Sequence, residues 1–164
     1  MKKIILLSLF SVLLLGCGKD KSSEPSSSVQ NGLEGIWQLC SQEFDSGGAT
    51  AISSVKWKLN FAFNGGFESQ LQYYKDTACS VEDQDASSSS GRFTIGNQNG
   101  EGITDIDMVY IEGTESGNPE EHFDIYRVSN GKLFFGKQDE NYDASSVQKR
   151  PIELDFETFL SKPL

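Results

Sequence analysis

The longest clean alternation of apolar and polar residues lies at Val55–Tyr74. Val55, Trp57, Leu59, Phe61 and Phe63 occupy alternate positions, with Lys56, Lys58, Asn60 and Ala62 between them. Side chains on a strand point to opposite faces in turn, so this spacing predicts a strand with one large apolar face and one polar face. Asn64-Gly65-Gly66 follows, and an Asn-Gly pair accepts the positive backbone angles of a tight reversal. Phe67, Leu71 and Tyr73 then alternate with Glu68, Gln70 and Gln72. The stretch is therefore a hairpin with one greasy face, which needs further strands to cover it.

The same reasoning extends along the chain. Glu34–Phe44 reads as a strand, with Trp37 and Leu39 on one face and Gln38 and Cys40 on the other. Thr77–Glu82 reads as a short strand carrying Cys79, and Asp83–Ser90 as an acidic, serine-rich loop. Phe93 and Ile95 share a face, as do Ile106, Met108 and Tyr110 on a long strand over Ile103–Ile111. Phe123, Ile125 and Arg127 alternate with Asp124 and Tyr126, which reads as a further strand. Asn130-Gly131 turns the chain into Lys132–Gly136, and Gln138–Lys149 is polar and loop-like. Pro151–Phe156 reads as the last strand, with Ile152, Leu154 and Phe156 on one face, and Glu157–Leu164 as a helical turn or tail. Eight or nine short strands joined by tight turns, with no long amphipathic helix, predict an all-β, antiparallel, up-and-down barrel of about eight strands.

The amino terminus has a different character. Met1-Lys2-Lys3 precedes an apolar run, Ile4–Leu15, too short to span a bilayer and the right length for a signal-peptide core. It ends in Leu14-Leu15-Gly16-Cys17, which resembles the lipobox of bacterial lipoproteins. That resemblance implies a signal peptide over 1–16, cleavage before Cys17, and lipid on Cys17 that anchors the protein to the membrane. Residue 18 is Gly rather than Asp, which implies the outer membrane of the envelope. Residues 17–31 are polar and serine-rich and predict a flexible tether, leaving 32–164 as one barrel domain.

Removing residues 1–16 leaves 12 basic against 24 acidic side chains, a net charge of −12. Such a surface repels nucleic-acid phosphates, so no nucleic-acid partner is expected. Cys40 and Cys79 would sit in an oxidising compartment, which predicts a disulfide. The alternative, a zinc pair, would need more ligands than His122, the lone histidine, supplies.

Gly35-Ile36-Trp37 at the domain start is similar to the Gly-x-Trp signature of lipocalin barrels. The resemblance implies a lipocalin-like barrel whose base is closed by Trp37 against an arginine near the last strand, here Arg150. The family's Thr-Asp-Tyr motif has no counterpart; Thr104-Asp105-Ile106 differs from it.

Catalytic and metal signatures are sparse. His122 has no Gly-x-Ser-x-Gly element to work with and reads as a surface residue. Asp139–Asp143 begins like a calcium loop, but Ala144 and Arg150 stand where that loop needs Gly and Glu. Asp105 and Asp107 share a face with nothing apolar beside them and read as solvated. No metal or cofactor is expected, and no enzyme activity. The remaining candidate is the aromatic face. Trp57, Phe61, Phe67, Tyr73, Phe93 and Tyr110 would line the barrel interior, as packed core or around a small apolar ligand. The leading expectation is a lipid-anchored barrel binding such a ligand. The alternative is an inhibitor-type module for a basic protein partner such as lysozyme, resembling small disulfide-bonded envelope inhibitors but lacking their Ser-Gly-x-x-Tyr loop.

Overall fold

A computed structural model describes residues 32–163. The expected signal peptide, Cys17 and the tether lie outside the described residues. Eight strands form a closed antiparallel barrel in up-and-down order: β1 (Gly35–Phe44), β2 (Ala51–Phe61), β3 (Gly66–Tyr74), β4 (Ser87–Gln98), β5 (Thr104–Glu112), β6 (Glu120–Ser129), β7 (Lys132–Gly136) and β8 (Leu154–Ser161). The fold class expected from the alternation is therefore the one observed. Closure rests on a single residue pair, Gln38 of β1 opposite Ser161 of β8.

The β2–β3 hairpin has the register its sequence implied, with Trp57 opposite Leu71 and Phe61 opposite Phe67. Phe63 does not extend the apolar face: it lies past the end of β2, in the turn, and is 79 % exposed. Inside the barrel Leu59, Phe61, Phe67, Phe93, Ile106 and Leu133 form a continuous buried cluster with Trp37. Phe61 meets Phe93 edge-on at 5.1 Å, and Phe67 meets Tyr110 edge-on at 4.8 Å. Such aromatic pairs add about 0.5–1.5 kcal/mol each beyond the area they bury.

The tight curvature near Phe67 depends on a missing side chain. At Gly91 β4 bulges against β5, and a Cβ there would lie 2.0 Å from the Val109 carbonyl oxygen and 2.9 Å from the Phe67 ring. Only glycine lets the two backbones and the ring come this close.

Three expectations are corrected, and β6 shows which of its faces is the inner one. Residues 87–90, read as loop, begin β4 and pair with Glu68–Leu71, because β3 would otherwise lack a partner on that side. The segment around Cys79 is not a strand: Cys79 takes a positive φ of 53°, and the segment meets β3 at the isolated bridge Tyr74–Glu82. Its turn is built on Asp76, whose Oδ1 accepts the Ser80 and Val81 amides at 3.0 Å each. A bond from the Ser80 hydroxyl, together with these amides, holds the Asp76 carboxyl down to about 2.

On β6 the inward residues are Asp124 and Tyr126, directly opposite Ile106 and Thr104 of β5. Ile125 is buried on the outer face instead, beneath residues 137–153. That segment is tied down by the Phe123 amide donating to the Ala144 carbonyl at 2.8 Å. Finally, the last strand is Leu154–Ser161, with Leu154 and Leu160 buried and Ile152 and Phe156 exposed.

Cys40 and Cys79 are joined by a disulfide, with 6.1 Å between their Cα atoms. It fastens the segment after β3 to the outer face of β1. Ser54 reinforces it from β2, donating to the Asp76 carbonyl at 2.6 Å and accepting the Cys79 amide at 3.0 Å. Closing a loop with a sequence separation of 39 constrains the unfolded chain by about 4 kcal/mol.

Candidate functional site

β7 has only five residues, and its pairing with β8 slips at its end. Phe134 faces Phe159, yet Gly136, two residues on, faces Leu154, five residues back. The surplus in β8 bulges. Asp155 holds the bulge through its Oδ1, which accepts the Glu157 amide at 2.9 Å and the Thr158 amide at 3.1 Å. Burial opposes ionisation of Asp155, but these hydrogen bonds outweigh it and keep the carboxyl below its ordinary range.

A cavity of about 240 Å³ opens beside this irregularity. Its apolar walls are Trp57 from β2, Met108 and Tyr110 from β5, Phe135 from β7 and Leu160 from β8. Its polar lining is His122, Asp124, Gln138, Asp155 and Thr158. Trp57 is held by its indole N–H, which donates to Ser69 Oγ at 2.9 Å, and its ring lies 6.1 Å from that of Phe135. Tyr110 is held edge-on by Phe67.

Asp124 is 2 % exposed and sits where β7 leaves the sheet. Its Oδ1 accepts the amides of Ile125 at 2.7 Å and Gly136 at 3.0 Å, replacing a strand partner that the short β7 does not supply. A side chain at Gly136 would collide with Asp124 Oδ1 at 2.5 Å and Pro151 at 2.3 Å. Asp124 Oδ2 lies 3.4 Å from His122 Nε2, and Gln138 Nε2 lies 3.4 Å from the same nitrogen. Among the described residues no hydroxyl is hydrogen-bonded to His122. Burial, and then the negative charge of Asp124, push the Tyr110 phenol up to about 12, so it remains a neutral donor.

The six aromatics named from the sequence divide. Trp57 and Tyr110 line the cavity. Phe61, Phe67 and Phe93 are packed core, and Tyr73 is half-buried on β3 outside the cavity lining. Phe135, His122 and Asp124 complete the site and were not expected in it. The signal for Phe135 was present in the Leu-Phe-Phe run of the last tight hairpin. His122 and Asp124 share a strand face at a spacing of two, which becomes visible once β6 is given the correct parity.

The pairing of Trp37 with Arg150 is not what the structure shows. The cation over the Trp37 ring is Lys162, with Nζ 5.0 Å from the ring centroid, and the indole N–H donates to the Leu33 carbonyl at 2.6 Å. Arg150 instead bonds Asp107 Oδ1 at 2.6 Å and the Asp124 carbonyl at 2.8 Å. It thereby staples residues 137–153 to β5 and β6 and gives Asp107 a partner. The carboxylates of the calcium-like stretch cap local turns: Asp139 accepts the Asn141 and Tyr142 amides, and Asp143 bonds Ser145 and Lys149. Among the described residues no group of three or more His, Cys, Asp or Glu is arranged to hold a metal ion.

No model of a known protein family matches this chain, and no curated protein matches it.

Proposed function

We propose that this protein is a lipid-anchored barrel of lipocalin-like type that holds a small, largely apolar molecule at the bacterial envelope. The observation that carries the reading is the 240 Å³ cavity walled by Trp57, Met108, Tyr110, Phe135 and Leu160. Eight-stranded barrels either fill their interior or leave room for one small ligand, and a fully packed interior would have no such space. The volume equals that of about eight liquid waters, which suits a compact molecule rather than a long acyl chain. The Gly35-Ile36-Trp37 start and the up-and-down order support the lipocalin-like assignment. The lipobox-like Leu14–Cys17 supports an anchor on Cys17, and Gly18 supports the outer membrane. The site works by binding: rigid aromatic walls supply apolar area, and a few fixed polar groups orient the guest.

Native mass spectrometry of the protein released from its own host's membranes is the direct test. A retained small molecule is expected, and it should be lost from a variant carrying Leu160→Trp, which fills the cavity. Retention of the same adduct by that variant would place the guest elsewhere and refute the reading.

A further inference from the structure

The charge of the cavity lining restricts what can fill it. Asp124 and Asp155 contribute two carboxylates, and the lining contains no lysine or arginine. Arg150 bonds the backbone carbonyl of Asp124 and Lys137 favours the ionised form of Asp155, but neither lines the cavity. Even with His122 protonated, the lining would keep a net negative charge. Three rings, Trp57, Tyr110 and Phe135, border the same space, and the face of an aromatic ring attracts a cation lying over it.

The two oxygens of Asp124 are unequal. Oδ1 is taken by two backbone amides, while among the described residues Oδ2 has only His122 Nε2, at 3.4 Å. A guest that filled the cavity with hydrocarbon alone would strip water from this buried carboxylate and return nothing, which is costly for a charge. An anionic guest would be repelled. A guest with an ammonium group at one end offers N–H donors and a positive charge to Oδ2, and lays its apolar body against the rings.

We propose that the guest is a small protonated amine with an apolar or aromatic body, its ammonium directed at Asp124 and its body among Trp57, Tyr110 and Phe135. This rests on the reading of the cavity as a ligand site and narrows it to one chemical class.

Isothermal titration of the full-length lipoprotein in nanodiscs tests it with three probes of one shape: phenethylammonium, the neutral 2-phenylethanol and the anionic 3-phenylpropionate. Empty nanodiscs provide the control for partition into lipid. Phenethylammonium is expected to bind at least tenfold more tightly than the alcohol, with the anion weakest. Asp124→Asn keeps an oxygen to accept the Ile125 and Gly136 amides and should erase the preference while the alcohol still binds. Equal or tighter binding of the alcohol to the unaltered protein would overturn the amine assignment and leave the ligand site standing. Absence of binding by all three probes would overturn both. A preference for the amine that survives Asp124→Asn would show that Asp124 does not receive the ammonium, and would overturn the proposal.

Discussion

Phe61→Ala, Phe135→Ala and Lys58→Ala test the division of the barrel into a filled part and an open one. Phe61 is 1 % exposed and packs edge-on against Phe93 at 5.1 Å and beside Phe67 at 6.2 Å. Its backbone is laddered on both sides, opposite Gly35 and Phe67, so the walls cannot collapse into the space left behind. Truncating a buried Phe costs ~3–5 kcal/mol, and two lost ring contacts place this site in the upper part of that range. With roughly 3–5 °C of melting temperature per kcal/mol for a domain of this size, the midpoint should fall by about 10–20 °C. That is a large share of the ~5–15 kcal/mol that holds a domain folded. Phe135 borders the cavity and is only half-buried, so its loss enlarges space already present and should cost about 2 kcal/mol, near the low end for such truncations. Lys58 is exposed on the outer face and should move stability by no more than about 0.5 kcal/mol. Urea unfolding followed by far-UV circular dichroism reads all three, with an unchanged slope required for the comparison. Equal losses for Phe61→Ala and Lys58→Ala would mean that the strand alternation is misread. A loss at Phe135 as large as at Phe61 would mean that the cavity is not open space.

Gly91→Ala should destabilise by about 3 kcal/mol or more, since the added carbon meets a backbone carbonyl that cannot move aside, whereas Gly100→Ala, with nothing within 4 Å, should be neutral in the same urea assay. Stability should fall as pH rises from about 10 towards 12: burial pushes Tyr126, and burial with Asp124 pushes Tyr110, up to about 12 from the ordinary 10.0, so the unfolded chain releases protons that the folded one keeps. The slope is up to ~1.4 kcal/mol per pH unit for each tyrosine, and Tyr126→Phe should flatten it in urea midpoints taken at pH 9, 10 and 11. Reduction should lower the urea midpoint through loss of the Cys40–Cys79 bond, and non-reducing peptide maps should show those two cysteines linked. Cys17→Ala should release the protein from the membrane fraction; firm retention without lipid would refute the anchor.

Strands whose two faces differ sharply were legible. The β2–β3 hairpin puts nearly all its large apolar residues on one parity, and that parity faces the core. Legibility failed where apolar residues occupy both faces. On β6 Tyr126 faces the core while Ile125 lies beneath residues 137–153, and alternation alone cannot tell a core from a covering loop. It failed again on β8, where a bulge breaks the period of two and turns Phe156 outwards onto Phe134, 5.4 Å away. The serines at 87–90 resemble a loop by composition, but they form a strand because β3 presents unpaired backbone to them. The candidate site inherits these failures. Trp57 and Tyr110 could be named from the alternation of their strands; Asp124 lies on β6, whose inner face alternation did not identify, and Asp155 lies in the bulge of β8, so neither could.

The irregular strands are also where the barrel acquires its chemistry. A regular eighth of the barrel would place laddered backbone and packed side chains where the cavity now stands. β7 stops at Gly136, β8 bulges between Leu154 and Phe159, and β1 meets β8 only at Gln38 and Ser161. The end of β7 and the bulge in β8 leave backbone amides that side chains take up, since buried amides must be satisfied by something. Asp124 accepts the Gly136 amide and Asp155 accepts those of Glu157 and Thr158. Substituting carboxylates for ladder carbonyls repairs the hydrogen bonding and at the same time introduces two negative charges beside the aromatic walls. An apolar cup therefore becomes a selective one through the groups that hold its broken edge together. On this argument Asp124→Asn and Asp155→Asn separate the two roles, because each keeps an acceptor oxygen for the amides and removes the charge that faces the guest.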